Sequence, residues 1–417
     1  MTFPRIDVDI VRLMRELEQL AGFSDAPPPA VTRVLFTEPD LKARAYLKRL
    51  FANGGLSVRE DPAGNVFARW PGAEPALPAI GSGSHTDAIP FSGRYDGTVG
   101  VLGALEAIRT LQAAGWRPRR SIDLVMFTSE EPTRFGIGCL GSRLLSRSLT
   151  PTAAAALKDE TGALFDQVRR EAGCGGDLAE VPLPAGHYAA FVELHIEQGP
   201  LLEREQIPIG AVTAIAAPAA LRVRLEGEGG HAGAVLMPDR KDALCAAAEV
   251  VLAVEQAGRA TGRPDTVATT GVCQVHPGAV NSIPGQVMLE IDIRDTDLEA
   301  RDRVVQQVRQ AIHLSAGRRG LAAEVTLLNA DPPARAGQQV LDAIEGACKH
   351  LDLKCKPMVS RAYHDSLFMS RLCPTGMIFI PCKDGVSHRP DEYSSSEAIG
   401  RGVEVLALTL AHLAETL

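Results

Sequence analysis

The chain has no C-x-x-C pair. Its eight cysteines, Cys139, Cys174, Cys245, Cys273, Cys348, Cys355, Cys373 and Cys382, are scattered along 417 residues. That speaks against a thiolate zinc site and for reduced thiols, so a cytoplasmic protein is expected. Nor is a secretory leader expected from the start of the sequence. The opening MTFPRIDVDIVRLMRELEQL is an amphipathic helix pattern with acids inside it. No apolar run is long enough to span a bilayer, so no membrane partner is expected. Positive charge is not in excess: 43 Lys and Arg face 51 Asp and Glu, a formal net charge of −8. That balance excludes nucleic acid and anionic membrane surfaces as partners. A small anionic substrate remains compatible, because one local arginine outweighs a distant net charge. Internal repeats and low-complexity segments are also absent.

A chain of 417 residues exceeds one ordinary core, which predicts two domains. The first half alternates helix and strand signals. PDLKARAYLKRLFANGG reads as a helix closed by glycine, PAIGSGSH as a short buried strand, GTVGVLGALEAIRTLQAAGW as a helix, and RSIDLVMFTSEE as a strand with polar final residues. This rhythm predicts an α/β fold: a mixed, mostly parallel sheet with helices on both faces. From about Ala214 the pattern becomes β-α-β-β-α-β, the ferredoxin-like split motif, through AEVTLLN. Helix–strand alternation then returns. The expected organisation is therefore a first domain over 1–213 and 332–417, with an inserted ferredoxin-like α+β lid and dimerisation domain over 214–331.

The chemistry concentrates at predicted strand ends, where open α/β sheets place their sites. SGSHTDAIPFSGRYDGTVG carries His85, Asp87 and Asp96. If the strand persists, His85 and Asp87 point to one side, a spacing that suits a metal-binding imidazole steadied by a carboxylate. Asp96 has two oxygens and can bridge two cations. FTSEEPTRFG supplies Glu130 and Glu131, VELHIEQGPLLE supplies His195, and GVSHRPDEYSS supplies His388. Taken singly, each of these is equally a capping, turn or loop residue. Taken together, His85, Asp96, Glu131, His195 and His388 are three nitrogens and two carboxylates. Such a set suits two borderline cations, Zn²⁺, Mn²⁺, Co²⁺ or Ni²⁺. The division of labour expected for the acid pair is that Glu131 binds metal while Glu130 takes a proton from water. In QVMLEIDIRD, Arg294 lies on the polar face and is either a carboxylate clamp or an ordinary sheet charge. His231 in EGGHAG and Asn281 before SIPG are candidate substrate contacts or turn residues.

The blocks GSGSHTDAIPFSGRYDG, FTSEEPTRFGIGCLGSR, ELHIEQGPLLE, GGHAGAVLMPDRKDA, GAVNSIPG, IDIRD and GMIFIPCKDGVSHRPDEYSS run in order along nearly the whole chain. In these blocks the chain resembles the dinuclear aminoacylase/carboxypeptidase-type metallohydrolases, in their hydantoinase/carbamoylase branch. SRAYHDSLFMSRLCPTGMIFIPC is most similar to the plant-type ureidoglycolate amidohydrolases of that branch, where many other members have SGAGHDA. The resemblance implies a metallo-exopeptidase-like fold, metal positions at His85, Asp96, Glu131, His195 and His388, and Asp96 as the bridge. It implies Asp87 as the supporting acid and Glu130 as general acid/base. It puts Gln198, His231, Asn281, Arg294, Tyr363 and His364 on substrate. It also implies Mn²⁺, a homodimer through 214–331, and His231 and Asn281 acting across the dimer interface. The implied reaction cleaves the carbamoyl C–N bond of a small ureide, with (S)-ureidoglycolate ahead of N-carbamoyl-L-amino acids and allantoate. Tyr363 carries that preference, since it removes side-chain space and adds a hydroxyl that can pair with substrate.

Overall fold

The structure, a computed structural model, describes residues 4–417. It divides into two compact units. One comprises the chain up to Thr213, Arg335–Met358 and His364–Leu417; the other comprises Ala214–Ala334 and Val359–Tyr363. Residues 332–334 and 359–363 thus fall with the second unit, not with the first as their sequence position suggests. Segment 359–363 joins it because Ala216 N–H donates to Ser360 C=O at 2.8 Å and Arg294 reaches Arg361 C=O at 3.0 Å. Among the described residues no helix is long and apolar enough to cross a membrane.

A nine-stranded sheet forms the first unit's frame. At its centre Thr375–Ile380, Tyr188–Ile196, Ala79–His85 and Ile122–Phe127 run parallel. Antiparallel strands flank them: Ile209–Ile215 on one side, Val66–Trp70 and Ser57–Glu60 on the other. The parallel strands are buried on both faces, as such strands must be when helices cover them. Their alternation sorts the side chains. Ile80, Leu124, Met126, Val192 and Leu194 face a core shared with helices Thr98–Ala113 and Ser396–Thr416. Phe127 and Phe191 face a second core, with Leu140, Phe165 and Met369. His85, Glu193 and His195 share the parity of that second face, so the strand period of two aims them to one side.

Glycines make the close passage possible. Gly83 has φ +144°, and a Cβ there would lie 1.8 Å from Val125 O. Gly97 has φ +65°, and a Cβ there would lie 2.4 Å from His85 Nε2. Both positions are closed to any residue with a side chain.

The second unit is a four-stranded antiparallel sheet: Val267–His276, Gln286–Asp295, Ala217–Glu226, Ala322–Ala330 in spatial order. Helices Ala243–Ala260 and Leu298–Arg318 cover one face. This is the ferredoxin-like arrangement that the β-α-β-β-α-β order predicts. In Gln286–Asp295 the residues Val287, Leu289, Ile291 and Ile293 are buried, while Glu290, Asp292 and Arg294 are only half-buried.

Candidate metal centre

All four parallel strands end at the same edge, and the five expected ligands leave from there. His85 is the last residue of its strand. Glu131 follows the strand ending at Phe127, and His195 sits in the last turn of Tyr188–Ile196. His388 follows the strand ending at Ile380, and Asp96 precedes helix Thr98–Ala113, whose N-terminal dipole favours a carboxylate.

The side chains converge on Asp96. Its Oδ1 lies 3.5 Å from His85 Nε2 and 3.2 Å from His195 Nε2. Its Oδ2 lies 3.3 Å from His388 Nε2, which is also 3.2 Å from Glu131 Oε1. Two possible ligand triads result, His85–Asp96–His195 and Asp96–Glu131–His388, each using one oxygen of the shared carboxylate. Bonds of 2.0–2.2 Å in a tetrahedron set its edges at about 3.3–3.6 Å. The four separations, 3.2–3.5 Å, lie close to that range. His85 Nδ1 is 3.0 Å from Asp87 C=O and His195 Nδ1 is 2.8 Å from Ile196 C=O. Each ring thereby turns its Nε2 inward, and His195 Nε2 accepts from Gly97 N–H at 3.2 Å.

Electrostatics point the same way. Among the described residues, the ion pairs of Asp96 and Glu131 are all with histidine rings. Burial would raise Asp96, but its contacts with His195, His388 and His85 hold it well below the ordinary carboxylate range. Hydrogen bonds to Asp96 and Glu131 push His388 up to about 11. Burial alone would lower His85, yet Glu130, Asp96 and Asp87 hold it well above the ordinary value. These carboxylates favour protons on the imidazoles, and divalent cations compete for the same places. Burial, then the charges of Glu131, Asp365 and Asp87, raise Glu130 well above the ordinary range despite His85. Its Oε2 is 3.8 Å from His85 Nε2, and Cys139 S–H donates to its Oε1 at 3.5 Å.

Several residues stand differently from expectation. The strand stops at His85, so Asp87 is not on it. The imidazole meets the Asp87 carbonyl, while the nearest carboxylate oxygen is 3.7 Å away. That carboxylate accepts from the backbone N–H of Glu130 at 3.2 Å and of Glu131 at 3.0 Å, so it fixes the turn carrying both acids. Gln198, in the left-handed region at φ 55°, donates its amide to Asp96 Oδ2 at 2.6 Å. His364 is buried, with its ring 4.7 Å from that of His195.

The other expected substrate residues belong to the second unit. His231 is exposed and its Nδ1 accepts from Gly233 N–H at 3.1 Å, which leaves Nε2–H as a donor. Asn281 is exposed and accepts from Ala232 N–H at 2.9 Å through its carbonyl. Arg294 is already forked onto Asp292, at 2.8 and 3.1 Å. The Tyr363 hydroxyl donates to Asp331 at 2.5 Å and accepts from Asn329 at 3.4 Å. Both of these partners lie in its own unit.

Two acids escaped sequence reasoning. Glu193 accepts from Ser84 Oγ at 2.6 Å and Ser366 Oγ at 2.5 Å behind His195. Its i, i+2 spacing to His195 was a usable signal. Glu392 accepts from two amides of the Asp96 loop, and no periodicity in its own loop announces it.

Residues 82–412 match the model of peptidase family M20/M25/M40, and the chain belongs to that family. Among its relatives, a protein of Oryza sativa subsp. japonica described as ureidoglycolate hydrolase is 54% identical, covering 97% of this chain and 85% of its own. Two crystal structures of a protein called AtUAH, one with glyoxylate and one with (S)-hydroxyglycine, superpose with a TM-score of 0.91. Each is 52% identical and covers 98% of both chains.

Proposed function

We propose that the chain is a dinuclear metal amidohydrolase that hydrolyses the carbamoyl C–N bond of a small ureide, (S)-ureidoglycolate, in the purine-derived allantoin route. The observation that carries the reading is one buried carboxylate, Asp96, shared by two ligand triads, with the buried Glu130 beside them. The near-full-length similarity to a ureidoglycolate hydrolase, and to a structure holding glyoxylate, supports the substrate.

His85 and His195 would hold one ion, Glu131 and His388 the other, and Asp96 both. Mn²⁺ is the metal proposed. Such ions, when bound, polarise a carbonyl and bring the pKa of water toward neutrality. Glu130 takes the water proton as hydroxide attacks the ureido carbon. It then gives that proton to the departing ammonia. The carbamate that remains loses carbon dioxide, and the hydroxyglycine so formed breaks down to glyoxylate and a second ammonia. His231 offers its Nε2–H to the developing oxyanion. Asn281 and Arg294 bind the carboxylate end, Arg294 by exchanging Asp292 for substrate. His364 and Gln198 orient substrate and bridge. The reading includes a homodimer through 214–331, with His231 and Asn281 supplied by the second copy, and a cytoplasmic location, in keeping with eight free cysteines.

A second reading, N-carbamoyl-L-amino acid or allantoate hydrolysis, gains weight from Tyr363, whose hydroxyl is already taken by Asp331. Ammonia release from all three substrate classes, with Mn²⁺-reconstituted protein, decides between them. Ureidoglycolate should lead in kcat/KM by about 10² or more. A lead by either competitor would transfer the assignment to it.

A further inference from the structure

Asp96 and His388 leave different strands, yet both must stand within about 2 Å of one ion if the proposed function holds. Something must fix their separation. Glu392 is 4% exposed and lies between the two loops. Its Oε1 accepts from Tyr95 N–H at 2.8 Å and from Asp96 N–H at 3.1 Å, across 296 positions of sequence. Its Oε2 accepts from Ser387 Oγ at 2.8 Å. Ser387, next to His388, is also 2.8 Å from Asp96 Oδ2. A closed loop of contacts therefore runs from the Asp96 backbone through Glu392 and Ser387 to the Asp96 carboxylate. The Asp96 loop makes room for it: a Cβ on Gly93 would lie 2.3 Å from Glu392 side-chain atoms. Glu392 is itself anchored, because Tyr393 C=O accepts from Lys383 N–H at 2.8 Å and the Tyr393 ring packs edge-on to Tyr95 at 6.1 Å.

From this geometry we infer that Glu392, which ligates nothing, is a positioning residue that sets the spacing between the bridging carboxylate and the His388 imidazole. It does so by stapling their two loops, with Ser387 as the second leg. The inference rests on the proposed metal centre and deepens it. A carboxylate is the suitable staple, since one oxygen accepts from both backbone amides while the other faces the Ser387 hydroxyl, whose single hydrogen serves either Glu392 or Asp96. Its loss should affect the ion held by Asp96, Glu131 and His388 more than the one held by His85 and His195.

The test is calorimetric titration of metal-free protein with Mn²⁺, alongside thermal melting of the metal-free form. Wild type should take up two ions. Glu392→Ala should weaken one of them about 10–100-fold, the range found when residues supporting metal ligands are removed. Glu392→Gln keeps an acceptor for the two amides and should recover much of that loss. If Glu392→Ala does not fold, Ser387→Ala cuts only the second leg and should weaken the same ion severalfold with an unchanged melt. Equal Mn²⁺ affinity in Ser387→Ala and in any folded Glu392 variant would overturn the inference, as would a fall in melting temperature without weaker binding. Those results leave the dinuclear reading intact. Wild type that takes up no Mn²⁺ would remove that reading and this one together.

Discussion

Glu130 and Glu131 are neighbours in sequence with the same chemistry, and position alone separates their roles. Glu131 meets His388, while Glu130 is left facing His85 and the Cys139 thiol. Burial raises the Glu130 carboxyl well above the ordinary range, which makes it a stronger base for a proton it takes and then returns. Glu130→Gln keeps the shape and deletes the function. It should retain two Mn²⁺ per chain by elemental analysis and lose turnover by about 10²–10⁴. Near-wild-type turnover in that variant would remove Glu130 from proton transfer. The set of ligand types was legible because histidines and acids at strand ends have few other reasons to recur together. The finer assignments were not. Whether Asp87 supports His85 or the Glu130–Glu131 turn depends on where the strand stops, and one residue decides it. That the Tyr363 hydroxyl meets Asp331 could not be read, because Asp331 lies 32 positions away and carries no local signal.

Among elements, alternation was the reliable guide. The buried parity of Gln286–Asp295 could be read because period two has no rival over ten residues, while the central parallel strands could be read as short apolar runs between turn signals. The antiparallel strands Ser57–Glu60 and Val66–Trp70 were missed, since four or five mixed residues set no period. Nor could charge links between helices be read. Glu249 on Ala243–Ala260 receives Arg319 at 2.5 Å, Ser315 Oγ at 2.5 Å and Arg318 at 3.0 Å from Leu298–Arg318 and its cap. The hydrogen bonds from Arg319 and Ser315 lead in lowering its carboxyl to about 2 from an ordinary 4.5. A depressed carboxyl stabilises the fold above its unfolded value and stops doing so as pH falls through the folded one. Glu249→Gln should therefore melt about 1–3 °C lower than wild type at pH 7, a small effect because the group is partly solvated. The gap should close between pH 4.5 and 2. A gap independent of pH would show that packing, not charge, links the helices.

For the molecule as a whole, the proposed metal ligands and the proposed proton carrier come from the first unit, while His231, Asn281 and Arg294 belong to the second. The proposed dimer gives that division a meaning that can be measured. A chain carrying Glu130→Gln still offers a good His231, and one carrying His231→Ala still offers a good Glu130. Each homodimer should be nearly inactive. If His231 serves the second copy's centre, a mixed dimer has one complete site, built on the His231→Ala chain, and one site lacking both groups. Random exchange makes half the dimers mixed, so activity should recover to about a quarter of the wild-type level in sites. The recovery should rise with the time allowed for subunit exchange and disappear when the subunits are cross-linked before mixing. If His231 serves its own chain, every site lacks one group whatever the partner, and mixing restores nothing. The pair of variants thus reads the direction of supply from activity alone, without a bound ligand and without a measured interface.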